Sequence, residues 1–252
     1  MEKIFSKSLK KIVKRMGYDI HKNIGEYPQD YDESDIEIIE NVKPFTMTSI
    51  ERIHTLIQSI KYIKNNQISG SIVECGVWKG GSMMAIIQTL KKLNDISYPL
   101  YLFDTFEGMP KPSNFDVSST KISAKDEFIK NKINDESSTW CNIGLDDVKK
   151  NIYSQGYDNS KITFVKGKVE STLPFQAPNK ISLLRLDTDW YESTKHELEC
   201  LFPLLSKGGV LIIDDYGYWE GARKAVDEYF LENEIMIFLN RIDNTGRIGI
   251  KI

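Results

Sequence analysis

The residues with the greatest chemical capacity in this 252-residue chain are acidic, and they stand at the ends of apolar runs. "SIVECG" brings Glu74 to a glycine, "YPLYLFD" ends in Asp104, "ISLLRLDTD" carries Asp187 and Asp189, and "GVLIIDD" ends in Asp214 and Asp215. A carboxylate at the mouth of a buried strand is expensive unless something compensates it. Asp187, Asp214 and Asp215 fall at the ends of two strands that should be neighbours, and close like charges there require a bound cation or shared protons. Oxygen donors with no cysteine or histidine beside them suit a hard divalent ion, Mg2+ or else Ca2+ or Mn2+. The alternative is an Asp-Asp pair capping a helix next to a lone polar strand end.

The first strand end is also glycine-rich. Gly76, Gly80 and Gly81 are spaced G-x-x-x-G-G, which is neither the G-x-G-x-x-G of dinucleotide sites nor the Gly-Lys-Ser of a P-loop. Gly76 permits a tight turn, and Gly80 and Gly81 let a ligand lie against the start of a helix. A plain strand–helix turn would use the same glycines. Glu74 just before the turn repels a pyrophosphate but welcomes an ammonium or sulfonium. Asp104 at the next strand end can accept hydrogen bonds from two ribose hydroxyls, or cap a turn. Together they suit a cationic nucleoside without phosphates, a description S-adenosylmethionine fits.

These groups must be positioned by the elements around them. "TMTSIERIHTLIQSIKYIKNN" predicts a helix capped by Thr48 or Ser49, with Ile50, Ile53, Leu56, Ile57, Ile60 and Ile63 at helical spacing. Short strands then alternate with helices: 71–76, a helix from Gly80 or Gly81 to about Leu93, 98–104, a helix from about Leu145 to Gln155, 161–167 and 179–187. A helix over 192–209 closed by glycines, a strand at 209–215, a helix over 220–233 and strands at 235–240 and 246–252 complete the pattern. The alternation predicts a doubly wound, mostly parallel, Rossmann-like α/β sheet with helices on both faces. No helix separates the last two strands, so the final one should be antiparallel, at or near an edge. Residues 107–140 are polar and read as a lid or a partly ordered loop. Residues 1–45 form an N-terminal extension with an amphipathic helix candidate from Ile4 to Met16, and residues 46–252 one domain.

Bulk properties narrow the function classes. Lys+Arg total 33 against Asp+Glu 36, so nothing drives the chain toward nucleic acid or anionic lipid. Cys75, Cys141 and Cys200 form no CxxC pair, which suits a reducing cytoplasm, and His21, His54 and His196 form no zinc motif. No apolar stretch approaches the ~18 residues of a membrane span, and the N-terminus lacks the apolar core of a signal peptide. The apolar stripe at Ile50–Ile63 could support a homo-oligomer, a dimer or tetramer.

"VECGVWKGGS", "YLFDTFEGMPKP", "LLRLDTDWYEST" and "LSKGGVLIIDDYGYWEGARKAVDEY" resemble the macrocin O-methyltransferase family, the TylF/MycF/NovP-like enzymes that act on sugars. "PFTMTSIERI" and "YDNSKITFVKGKVESTLP" extend the resemblance, in order, from about Pro44 to about Phe230. It implies a class I S-adenosylmethionine-dependent methyltransferase that moves a methyl group to a hydroxyl with a divalent metal. Carried over residue by residue, it assigns Asp187, Asp214 and Asp215 to the metal. It assigns Glu74, Gly76, Gly80, Gly81 and Ser82 to the methionyl end of the cofactor, and Asp104, Thr105 and Phe106 to the ribose. Thr46 and Met47 would close over the cofactor, and Gly167 and Lys168 would hold the adenine edge.

Some family members use a lid histidine as base. This lid has none, which leaves Asp189: residues two apart in an extended segment face the same way, so Asp187 and Asp189 would share a pocket with Thr188 turned aside. The aromatic residues near the acidic ends, Trp140, Trp190, Tyr191, Tyr216, Tyr218 and Trp219, either pack the core or include an acceptor-binding wall, with Trp190, Tyr191, Tyr216 and Trp219 expected against the substrate. Trp78 packs the cofactor turn. The leading expectation is methylation of a sugar hydroxyl on a nucleotide-linked sugar, glycan or glycosylated natural product. A catechol-like acceptor offers a metal the same two oxygens and stays open. An NAD-dependent oxidoreductase and a non-catalytic binding protein are the readings from other classes.

Overall fold

In the computed structural model residues 27–252 are described. The expected helix at Ile4–Met16 lies outside them. The chain divides into two compact units, Met1–Ile36 and Glu37–Ile252, with helix α1 (Glu33–Val42) running across the division. The second unit holds a seven-stranded sheet in the order β3-β2-β1-β4-β5-β7-β6. Strands β1 (Ser71–Cys75), β2 (Leu100–Asp104), β3 (Ile162–Lys166), β4 (Ile181–Leu186) and β5 (Leu205–Ile213) run parallel. β7 (Arg247–Ile250) lies antiparallel beside β5, one place in from the edge strand β6 (Asn240–Arg241). The order reverses between β1 and β4, so the carboxyl ends of those two strands diverge around a crevice.

Helices cover both faces. α2 (Ile50–Asn65) starts at Ser49, whose Oγ accepts the Arg52 amide at 3.2 Å. Its stripe Ile53, Leu56, Ile57, Ile60 and Ile63 is fully buried, against β4, β5 and the next helix, α3 (Gly81–Lys92). The stripe considered for an oligomer contact is therefore occupied within its own unit. The remaining helices are α4 (Ala124–Asn131), α5 (Leu145–Tyr153), the one-turn α6 (Val169–Thr172), α7 (Tyr191–Leu201) and α8 (Glu220–Glu232). α7 and α8 pack on the other face through Leu198, Leu201, Val226, Tyr229 and Phe230.

Three local expectations change. The helix after Tyr191 stops at Leu201, because Pro203 cannot continue its hydrogen bonds; a 3-10 turn (Phe202–Leu204) leads straight into β5. Gly208 and Gly209 thus sit within a strand and cap nothing. The strand expected at 235–240 contracts to Asn240–Arg241. Ile235, Ile237 and Leu239 still turn inward while Met236 and Phe238 stay exposed, so the alternation survives with few ladder partners.

The polar segment 107–140 carries regular structure of its own. It contains α4 and antiparallel bridges Val117–Ser123, Lys132–Ser138 and Ser118–Trp219. Buried Asp116 organises it. Its Oδ2 accepts from the Ser113 amide (2.6 Å) and hydroxyl (2.8 Å), and its Oδ1 from the Tyr191 amide at the start of α7 (2.8 Å). Polar anchors of this kind leave little trace in a hydrophobicity pattern.

Candidate active site

β-Sheet register creates the site. Glu74 in β1 lies directly opposite Arg185 in β4, and Arg185 lies opposite Ile212 in β5. Residues two further on point the same way, which brings Asp187 and Asp214 to the same side. The Asp187 amide donates to the Cys75 carbonyl (2.8 Å) and the Asp214 amide to the Leu186 carbonyl (2.9 Å), so the parallel ladder continues to the mouth of the crevice.

Arg185, which the sequence reading passed over, is the hub. Its Nη1 donates to Glu74 Oε1 (2.7 Å) and Asp187 Oδ2 (2.8 Å); its Nη2 donates to Asp214 Oδ1 (2.7 Å) and Thr48 Oγ1 (3.1 Å). The guanidinium is 2% exposed, so these pairs form out of water. Arg52 of α2 binds Asp214 Oδ2 and, through Nε, Asp243 Oδ2 at 2.9 Å. The signal for Arg185 was a charged residue inside the apolar run "ISLLRL"; Arg52 left none.

Burial and neighbouring negative charge raise the proton affinity of the two remaining carboxyls, Asp189 and Asp215. Burial, then the Asp187 charge, push the Asp189 carboxyl up to about 7. Burial and its acidic neighbours push Asp215 well above the carboxylate range, and burial does the same to Asp187 despite Arg185. Burial lifts Glu74 to about 7 against the opposing pull of Arg185.

Asp189 reaches the pocket by a different route from the one expected. Its φ is +68°, the left-handed region, so the Asp-Thr-Asp segment is kinked rather than extended. Thr188 also stands on the cavity wall, and its Oγ1 donates to Glu197 Oε2 of α7 at 3.1 Å, tying the kink to a buried helix face.

A cavity of about 460 Å³ joins the glycine turn to this cluster. Thr46, Met47, Gly76, Gly81, Ser82, Asp104, Thr105, Gly167 and Lys168 stand on its walls. So do Asp187, Asp189, Asp214 and Asp215, together with Tyr218 of the expected aromatic wall and with Thr48, Arg52, Arg185 and Cys141, which the sequence had not pointed to as site residues. Gly76, at φ +84°, cannot be replaced without collision, since a Cβ there would sit 1.9 Å from the Asp187 carbonyl oxygen. Asp104 is heavily engaged by its own surroundings. Its Oδ2 accepts the Val77 (2.7 Å) and Trp78 (3.0 Å) amides and its Oδ1 the Phe106 amide (2.7 Å), so it holds two loops together at the cavity wall.

Other predicted residues lie off the walls. Gly80 caps α3, Glu74 lies beneath the turn, and Phe106 is buried against Phe164. Trp190 and Trp219 pack with Ala124 and Ala222 in a separate small core, because both indoles are needed to fill the space under the 107–140 segment. The Tyr191 hydroxyl donates to Glu228 (2.7 Å) and that of Tyr216 to Asp227 (2.8 Å), which points both rings away from the cavity.

The cavity suits both absent groups. One oxygen from each of Asp187, Asp214 and Asp215 lies within 4.8 Å of the others, and Asp215 Oδ2 is buried without a partner. Arginine occupies one lone pair on each Asp214 oxygen, leaving a second on each for a cation. Glu74 Oε2 is likewise buried and unpartnered, an acceptor suited to a cationic ligand above the glycine turn.

The macrocin-O-methyltransferase (TylF) family model matches residues 10–248. An 8-demethyl-8-(2,3-dimethoxy-alpha-L-rhamnosyl)-tetracenomycin-C 4'-O-methyltransferase of Streptomyces olivaceus is 31% identical over 201 residues, covering 80% of this chain and 73% of that protein. Demethyldecarbamoylnovobiocin O-methyltransferase of Streptomyces niveus is 28% identical with the same coverage. The solved structure of the O-methyltransferase NovP superposes with a TM-score of 0.71 at 26% identity, covering 82% of each chain. No helix among the described residues is long and apolar enough to cross a membrane. The chain belongs to the macrocin-O-methyltransferase family and is an S-adenosylmethionine-dependent O-methyltransferase of class I fold.

Proposed function

We propose that the enzyme methylates a sugar hydroxyl of a glycosylated natural product or nucleotide-linked sugar, with a divalent cation, Mg2+ first among candidates, at Asp187, Asp214 and Asp215. The observation that carries this reading is the single cavity in which the glycine turn and the acidic cluster with Asp189 meet. The relatives named for rhamnosyl-tetracenomycin and novobiocin substrates support the acceptor class.

When bound, S-adenosylmethionine supplies the sulfonium methyl group and the cation supplies charge that lowers the pKa of a nearby hydroxyl. The chain's own residues then have separate tasks. The Gly76–Gly81 turn holds the methionyl end, with the buried Glu74 carboxyl beneath it. Asp104 fixes the loops bearing Val77, Trp78 and Phe106, so the ribose end meets a rigid wall. Arg185 holds Glu74, Asp187 and Asp214 in one geometry. Asp189 accepts the acceptor's proton; a group that titrates at about 7 is matched to that task.

The test is methyl transfer to a panel of rhamnosides, nucleotide-linked deoxysugars and catechols, with and without EDTA. Turnover of a glycoside that EDTA stops and Mg2+ restores supports the reading. Turnover of catechols alone overturns the acceptor class.

A further inference from the structure

Six aromatic residues near the acidic strand ends were candidates for the acceptor wall, and only one of them faces the cavity. Trp140, Trp190 and Trp219 pack on one another, with centroids 5.0–6.2 Å apart, and the Tyr191 and Tyr216 hydroxyls are tied to α8 carboxylates. Tyr218 stands on the cavity wall, is 38% exposed, and among the described residues its hydroxyl has no partner. The other aromatic side chains on the wall belong to the opposite end: Phe45 beside Gly81, Trp78 after the Gly76 turn, and Phe103 at the end of β2.

The position of Tyr218 is fixed from four sides. Its amide donates to the Asp215 carbonyl (3.0 Å), which binds it to the acidic cluster. Its carbonyl accepts the Ser119 amide (2.7 Å) from the 107–140 segment. Its ring is braced edge-on by Trp219 at 4.9 Å and 86°. The preceding Gly217 donates to the Thr245 carbonyl (2.8 Å) and lies so close to the 243–246 turn that a Cβ would sit 2.2 Å from the Asn244 carbonyl oxygen. A half-exposed ring held this firmly loses little freedom when it binds something, which favours a recognition role.

We propose that Tyr218 is the acceptor-binding residue: its ring takes the C–H face of the sugar being methylated, and its phenol reaches a hydroxyl of that sugar other than the reacting one. The inference rests on the functional reading above. An aromatic face carries negative electrostatic potential, which complements the weakly positive C–H groups of a pyranose. Tyr218 shares the cavity wall with Asp215 and Asp189, which is where an acceptor must lie to present a hydroxyl to both.

The experiment is steady-state kinetics of wild type, Tyr218→Phe, Tyr218→Leu and Tyr218→Ala on the best glycoside from the panel. S-adenosylhomocysteine affinity is measured by calorimetry in each variant. Tyr218→Ala should raise the glycoside KM about tenfold and Tyr218→Phe about threefold, with S-adenosylhomocysteine affinity within about twofold of wild type. Tyr218→Leu keeps bulk but not the ring and should resemble Tyr218→Ala. Gly217→Ala should raise the glycoside KM with the ring intact, because it pushes the loop off the 243–246 turn. An active wild type whose glycoside KM is unchanged in both Tyr218→Ala and Tyr218→Leu overturns this inference alone. A wild type inert toward every glycoside overturns the functional reading and this inference with it.

Discussion

Replacing Arg185 by methionine tests the electrostatic logic of the site. The substitution keeps much of the side-chain volume but removes the partner of Glu74, Asp187 and Asp214, each held at 2.7–2.8 Å. Breaking a buried ion pair from one side typically costs about 3–5 kcal/mol, a large share of the ~5–15 kcal/mol that stabilises a domain. The loss should depend on pH. Burial already raises Glu74 from its ordinary 4.5 to about 7, and Arg185 supplies the largest opposing pull. A carboxyl raised in this way binds a proton on folding, so stability falls as pH rises from 4.5 through about 7. Without Arg185 the folded-state value climbs further and the fall continues to higher pH. The variant's deficit should therefore be smallest near pH 5 and widen toward pH 8. Urea titrations of both proteins at several pH values measure it, and Mg2+ should recover part of the loss by binding the orphaned carboxylates. A deficit below about 1 kcal/mol at pH 8, or one independent of pH, would show that Arg185 does not carry the charge balance assigned to it.

The remaining predictions concern other parts of the site. Asp189→Asn should lower kcat by about 10²–10⁴-fold with S-adenosylhomocysteine affinity nearly intact; near-wild-type kcat would refute its role as base. Asp215→Asn should raise the Mg2+ concentration needed for half-maximal activity about tenfold or more, since it neutralises one of three carboxylates. Activity indifferent to EDTA would remove the metal from the mechanism. Asp243 is held down at about 2: burial opposes this, but hydrogen bonds from Ser49, Gly246 and Thr245 and the Arg52 charge prevail. Its contribution to stability is complete above its ordinary 3.8 and disappears as pH falls toward about 2. The stability gap between wild type and Asp243→Asn should thus close over that window, and a constant gap would contradict the assignment.

What the sequence revealed and what it hid divide along physical lines. α2, its Ser49 cap and the parallel strands were readable because periodicity and capping are local. The acidic strand ends were readable because charge after an apolar run is conspicuous. Arg185 was not, since its importance arises from lying opposite Glu74 across a pair of strands 111 residues apart in sequence. The direction of the aromatic rings was equally hidden. Tyr216, Tyr218 and Trp219 occupy one short loop, yet one faces α8, one the cavity and one a buried cluster. Asp189 reached the expected cavity through a left-handed kink that alternation did not foresee.

The packed tryptophans have a spectroscopic consequence. Trp140, Trp190 and Trp219 are close enough for their excited states to couple and for energy to pass among them. Trp219 touches Tyr218 on the cavity wall, so one chromophore of the group is coupled to the cavity. Occupancy by ligand will alter the emission and near-ultraviolet dichroism of the whole cluster, and the enzyme can be titrated by its own light without a label.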